Sequence, residues 1–427
     1  MTSNPSAAKA FSNDSSASAW SNGTRGEVAR RFASVREQTL ALVESLSAED
    51  LCVQSMPDAS PGKWHLAHTS WFFETVLLKA HAAGYREFDP RFGHLFNSYY
   101  ESLGSRHPRP DRGLLSRPGL AEVLAYREHV DGAMQRFIQS AGAAVSPEAS
   151  RLVELGLQHE EQHQELILTD ALHLLWCNPL LPAWRPSEAP ALRLATESPP
   201  LEFIERQGGD VDIGHAGAAF AFDNETPRHR ALLARHAIAN RLVTCGEFAE
   251  FIADGGYQRP ELWLSDGWAA VQAGQWRSPL YWLAPHDPRA PAPYWQLFGL
   301  CGVRPLDESA PVSHLSFYEA AAFAEWAGAR LPTEFEWEAA WDAPGITQMT
   351  DHVWQWTRSS YDPYPGFRPL AGAVSEYNGK FMVGQIVLRG SSSATACGHA
   401  RRSYRNFFPP GARWQFAGLR LAKDAGC

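Results

Sequence analysis

Residues 151–175, RLVELGLQHEEQHQELILTDALHLL, decide how the first half of this chain is read. Its leucines, valine and isoleucine recur at three- and four-residue intervals, the period of an amphipathic helix. Ser146-Pro147 opens the helix with a cap and a first-turn proline, and Asn178-Pro179 breaks it. In the middle stands QHEEQHQE, Gln158–Glu165. On a helix, His159 and His163 are one turn apart and share a face, so both imidazoles can grip one ion. Read as His-Glu-x-x-His, the string is a zinc-protease signature with Glu160 as general base. Read as His-x3-His-x-Glu, it can hold a different metal for different chemistry, and a polar helix face without metal is the third reading. The metzincin continuation is absent, because its glycine and histidine positions hold Leu166 and Thr169.

Three further helices precede this one. The first spans residues 26–46. Ser60-Pro61 opens the second, and WHLAHTSWFFETVLLKAHAAG carries it to a stop at Gly84. The third, LAEVLAYREHVDGAMQRFIQSAG, ends at Gly142. Four helices within residues 27–180 predict a four-helix bundle. WHLAH then puts His65 and His68 on a neighbouring helix of that bundle. Three histidines from two helices make one face of a coordination sphere with open positions beside it, which suits non-haem Fe(II). Between the second and third helices runs a long non-periodic segment, YREFDPRFGHLFNSYYESLGSRHPRPDRGLLSRP. Loops of that length inside compact domains are usually functional. Its Arg106, Arg109 and Arg112 offer forks for a substrate carboxylate.

The remainder bounds the class. With 427 residues the chain holds two or three domains. A formal charge of −9 without long basic runs argues against a nucleic-acid partner. No apolar run reaches the ~18 residues of a membrane span. Six scattered cysteines with no C-x-x-C pair fit a reducing cytoplasm. Residues 1–26 read as a disordered tail, and the Pro-rich LPAWRPSEAPALRLATESPP, 181–200, as a linker. From residue 201 to 427 short apolar runs are broken by Gly, Pro, Asp and Asn. Only SFYEAAAFAEWAGA reads there as a convincing helix, so this half is an irregular α+β domain.

Several strings together carry a resemblance. KWHLAH, HEEQHQE, LFNSYYE and RHPRPDRGLLSRP are followed by VTCGEF, DGGYQRPELWLSDGW, RLPTEFEWEAA, VWQWT, VLRG and YRNFFPPGARWQFAGLRLA. The set is similar to that of the ergothioneine-forming sulfoxide synthases, or hercynine oxygenases, over residues 27–424. The resemblance implies an α+β chain: a DinB-like four-helix bundle, then a formylglycine-generating-enzyme-type, C-lectin-like domain, with iron between them. It implies Fe(II) on His68, His159 and His163, with His65 a helix neighbour. Gln162 would face the imidazole-bearing substrate, and Asn406 and Phe407 would line the hercynine pocket. The implied reaction uses O₂ to join a thiol to C2 of hercynine and oxidise the sulfur. Tyr99 and Tyr100 would supply a proton or hydrogen atom, and aromatic rings of the second half would hold the trimethylammonium.

Two departures stand out. RGSSSATACGH from Arg389 replaces the expected RGGSCATP, and Phe408 stands where one branch carries an acidic residue that helps bind γ-glutamylcysteine. The first removes a formylglycine-type oxidase, whose two cysteine positions hold Thr395 and Ala400 while Cys397 is alone. The second points to cysteine or another small donor, and leaves a selenoneine synthase using a selenosugar as an alternative. A catalytically inactive ligand-binding protein is the non-enzymatic alternative.

Overall fold

The computed structural model describes residues 22–140, 145–186 and 198–426. Most of the expected tail and most of the expected linker lie outside them. Four long helices build the first half: α1 (Asn22–Val43), α2 (Gly62–Phe72), α3 (Leu120–Ser140) and α4 (Pro147–Cys177). A π-helical segment, Phe73–Leu78, prolongs α2 and ends in a helical turn, Lys79–His81. Such segments are often found where function bends a helix.

Each helix follows from its sequence. Phe32, Val35, Thr39 and Val43 of α1 fall at three- and four-residue intervals and are all buried. α1 starts at Asn22, inside the stretch expected as a tail, because the charged helix formers of TRGEVARR extend it ahead of its apolar stripe. In α2 every residue from Lys63 to Phe72 is buried, so this helix forms the centre of the bundle. Ser60 does not cap it. Pro61 occupies the N-cap, and the Ser60 hydroxyl instead accepts from Arg112 at 2.9 Å. The start of α4 matches expectation, with the Ser146 hydroxyl accepting from the Ala149 N–H at 3.1 Å. At Gly156 the two central helices nearly touch. A Cβ there would lie 2.4 Å from a ring carbon of Phe73, so only glycine admits this approach.

Among the described residues the second half combines four small sheets with short helices, giving the α+β class. One three-stranded sheet pairs Phe203–Arg206 and Ala422–Asp424 on either side of His236–Ala239, closing the domain on itself. A four-stranded sheet runs in the order Asn406–Phe408, Ile386–Arg389, Trp354–Ser360, Ala417–Leu419. Its last pair is parallel and the others antiparallel. Three helices, Cys245–Ala253, Phe317–Trp326 and Glu334–Ala339, each begin with a capping box. Thr244/Glu247, Ser316/Glu319 and Thr333/Glu336 satisfy the first-turn N–H groups reciprocally. The first and third were missed by periodicity because six to nine residues are too few to show it, yet the S/T-x-x-E signature marked both.

The halves share one seam. α4 presents Leu168, Leu172 and Leu175 to a cluster with Tyr281, Leu283, Phe298 and Phe416. Where the linker was expected, Trp184 is buried and its indole N–H donates to the Leu42 carbonyl at 3.0 Å. Along α4, Glu165 accepts from the Trp354 indole at 2.8 Å and from Ser392 at 2.6 Å.

Candidate active site

α2 and α4 cross so that His68 meets His159 and His163. One donor nitrogen from each lies within 4.8 Å of the others, and all three rings are buried. His68 Nδ1–H donates to the Phe96 carbonyl at 2.6 Å, which fixes the lone pair on Nε2. That Nε2 stands 3.2 Å from His159 Nε2. Two nitrogens at right angles around a first-row ion, each ~2.1 Å from it, would be about 3 Å apart. His65 lies behind. Its Nε2–H donates to Asp170 at 3.0 Å, so its Nδ1 accepts from His163 Nδ1–H at 2.8 Å and the inner nitrogen of His163 is left free. The Nδ1 of His159 has no partner among the described residues.

Burial chiefly, aided by neighbouring imidazoles, holds His68 and His163 well below the ordinary histidine range. Burial pushes His159 down to about 3, with Glu160 opposing and His65 assisting. Neutral imidazole is the form a metal requires, so the cluster fits a divalent first-row ion.

Glu160 does not serve this centre. Its carboxylate turns to the opposite side of α4, accepting from Arg127 at 2.5 Å, Thr39 at 2.7 Å and Arg36 at 2.8 Å. A general base cannot work from there, which removes the zinc-protease reading.

His159 and His163 line a cavity of about 630 Å³ between the halves, the size of a small-molecule site, with His68 packed directly behind them. Gln162 lines it, with its Nε2–H donating to the Tyr404 hydroxyl at 2.6 Å and its Oε1 accepting from Tyr377 at 2.6 Å. Asn406 and Phe407, on the edge strand of the four-stranded sheet, line it too. The Phe407 ring stacks on Tyr361 with centroids 4.0 Å apart. Tyr99 and Tyr100 stack on each other, hydroxyls 3.4 Å apart, and Tyr99 reaches the cavity. Burial raises both hydroxyls above the usual tyrosine range, so each keeps its proton at neutral pH.

The arginines separate into two kinds. Arg106 is exposed and paired with Glu101 at 2.7 Å, and exposed Arg109 donates to the Asp58 carbonyl. Arg112 is 3% exposed, lies 3.4 Å over the Trp64 ring, and among the described residues donates only to hydroxyls, those of Ser60 and Ser98. Burial, with the charges of Arg109 and Arg106, pushes it down to about 8 against the pull of Asp170. A buried guanidinium with no carboxylate in ion-pair contact among the described residues is set to receive an anion.

Tyr377, Tyr404 and His399 also reach the cavity, and sequence reading did not single them out. Tyr377 sits in a loop with no spacing signal. Tyr404 lies in the quoted YRNFF string, and His399 in the string noted as a departure.

Family models match in two places: the DinB superfamily over residues 31–167 and the sulfatase-modifying factor enzyme 1-like domain over 194–344 and 341–425. The chain is 32% identical over 462 residues to a hercynine oxygenase of Mycolicibacterium thermoresistibile, covering 94% of this chain and 95% of that protein. It is 33% identical over 443 residues to a hercynine oxygenase of Mycobacterium tuberculosis, covering 93% and 99%. It is also 25% identical over 236 residues to ergothioneine biosynthesis protein 1 of Schizosaccharomyces pombe, covering 48% and 28%.

Proposed function

The chain belongs to the hercynine oxygenase family, and from that premise we propose that it uses Fe(II) and O₂ to join hercynine to a small thiol as a sulfoxide, a step in ergothioneine formation. The observation that carries the reading is a cluster of three neutral imidazoles, two of which line a cavity that also presents Gln162 and Arg112. Oxygenase chemistry at a metal needs a redox-active ion, which zinc is not, and a three-imidazole face with open positions suits non-haem Fe(II), so iron is the metal assigned to His68, His159 and His163. Bound iron would supply adjacent open positions for the thiolate and O₂.

The protein groups take the other roles. Gln162 orients the imidazole of hercynine, with Asn406 and Phe407 on the opposing wall. Arg112 accepts the carboxylate of the donor, and Arg106 and Arg109 draw it to the mouth. Tyr99 and Tyr100 keep their protons and so can donate. The overall change balances: the C2–H of hercynine becomes C–S, one oxygen atom goes to sulfur, and the other leaves as water.

One observation favours a second reading. Phe408, Pro409 and Trp414 line the cavity where an acidic side chain would hold the ammonium of a dipeptide donor. An apolar aromatic wall suits a sugar ring, so a selenosugar donor giving selenoneine is the alternative.

An aerobic assay with Fe(II), hercynine and, separately, cysteine, γ-glutamylcysteine and a selenosugar, read by mass spectrometry, tests both. A sulfoxide from a thiol supports the first reading and a selenium adduct the second. No adduct from any donor, on protein shown to hold iron, rejects both. Tyr99→Phe and Tyr100→Phe are expected to keep iron while diverting O₂ toward oxidation of the thiol alone. An unchanged product ratio in both single variants would take the tyrosines out of the mechanism.

A further inference from the structure

The string from Arg389 that departs from the expected pattern folds back onto α4. Ser392 and Thr395 donate to Glu165 at 2.6 and 2.7 Å, and His399 Nδ1 lies 3.1 Å from Glu161. Glu161 and Glu165 are one turn apart and flank Gln162, so this string clamps the helix face that presents the amide. His399 is 2% exposed and Tyr404 is 4% exposed.

The hydrogen bonds have one consistent direction. The Glu161 carboxylate is acceptor only, so His399 donates from Nδ1. In the neutral ring Nε2 is then an acceptor, and the Tyr404 hydroxyl, 3.3 Å away, donates to it. With its proton spent there, the Tyr404 oxygen accepts from Gln162 Nε2–H at 2.6 Å. The Gln162 carbonyl is thereby turned toward the Tyr377 hydroxyl, which donates to it at 2.6 Å. Among the described residues Tyr404 is the acceptor for that amide nitrogen, and the second N–H is left for a ligand in the cavity. Without the accepting nitrogen of His399, Tyr404 is free to donate to the amide, and the amide can turn over and show a carbonyl instead.

We propose that His399 is a positioning residue: through Tyr404 it sets the orientation of the Gln162 amide and so makes the cavity present an N–H to the unprotonated nitrogen of an imidazole substrate. The proposal rests on the reading of Gln162 as the group facing that imidazole.

The test is calorimetric titration of iron-loaded, anaerobic protein with hercynine. His399→Phe is expected to weaken binding about three- to ten-fold, the worth of one net hydrogen bond. His399→Gln, whose amide can donate to Glu161 and accept from Tyr404, restores affinity, whereas a purely structural role would not distinguish the two. Tyr404→Phe, nearly isosteric, weakens binding similarly, and adding His399→Phe to it brings no further loss. Unchanged affinity in His399→Phe or Tyr404→Phe, or losses that add in the double variant, overturns the proposal. A second readout needs no substrate. The ¹⁵N histidine spectrum, with His399 assigned by its disappearance in His399→Gln, should show the Nδ1–H tautomer. The Nε2–H tautomer or a doubly protonated ring overturns the proposal. Should the native protein fail to bind hercynine, the functional reading falls while the tautomer still decides the direction of the chain.

Discussion

On the proposed reading, replacing His159 with alanine is expected to abolish Fe(II) binding and product formation together. Among the described residues His159 supplies one of three converging nitrogens, and its Nε2 sits 3.2 Å from that of His68. Loss of a mere outer-sphere partner costs roughly 10–100-fold in metal affinity, so loss of a ligand exceeds about 100-fold. The fold is expected to survive the change, because the ion pairs of Glu160 lie on the other face of α4 and the ring's contacts are with other rings, among them a stack on Phe72 with 4.4 Å between centroids. Iron content after anaerobic reconstitution, product by mass spectrometry and circular dichroism on one sample separate these effects. Turnover that persists in a folded His159→Ala protein rejects the three-histidine centre.

Glu160→Gln acts on the same helix in the opposite way, through stability. The carboxylate is fully buried between Arg36 and Arg127, and Arg36 is also tied to Asp131 at 2.6 Å. An amide cannot balance two guanidiniums, and breaking a buried pair from one side costs about 3–5 kcal/mol. The denaturation midpoint should fall accordingly. Burial alone would raise this carboxyl, yet the charges of Arg127 and Arg36 outweigh it and hold Glu160 at about 2. Since that lies below the unfolded value of about 4.3, its contribution is full above that pH and drains away as the pH falls toward 2. The native protein therefore loses this share of stability in acid, and the Gln variant has none to lose. Equal acid sensitivity in the two proteins would refute the linkage. A general base, as in a His-Glu-x-x-His protease, would lose activity with the fold intact.

The four helices of the first half were legible because each carries ten or more residues of periodic pattern with end signals, such as Ser146-Pro147 and Asn178-Pro179. The pairing of His159 with His163 was legible for the same reason, as one turn of helix enforces it. The choice between His65 and His68 was not legible. The two are three residues apart, only about 60° around a helix, and either can face the neighbouring helix. Packing settles their directions: His65 is drawn to Asp170 and His163, while His68 is held by the Phe96 carbonyl.

The sequence alone determined the local features: helix faces, the Ser146 cap, and which residue types were available for a metal and an anion. Tertiary structure alone decided that Glu160 turns away from the cavity, that Arg112 rather than Arg106 or Arg109 is the buried guanidinium, and that Tyr377 and Tyr404 reach Gln162 with His399 behind Tyr404. The physical reason is separation along the chain. Tyr377 and Tyr404 come from 215 and 242 residues away, and no periodicity reports a contact made by a loop across two packed domains.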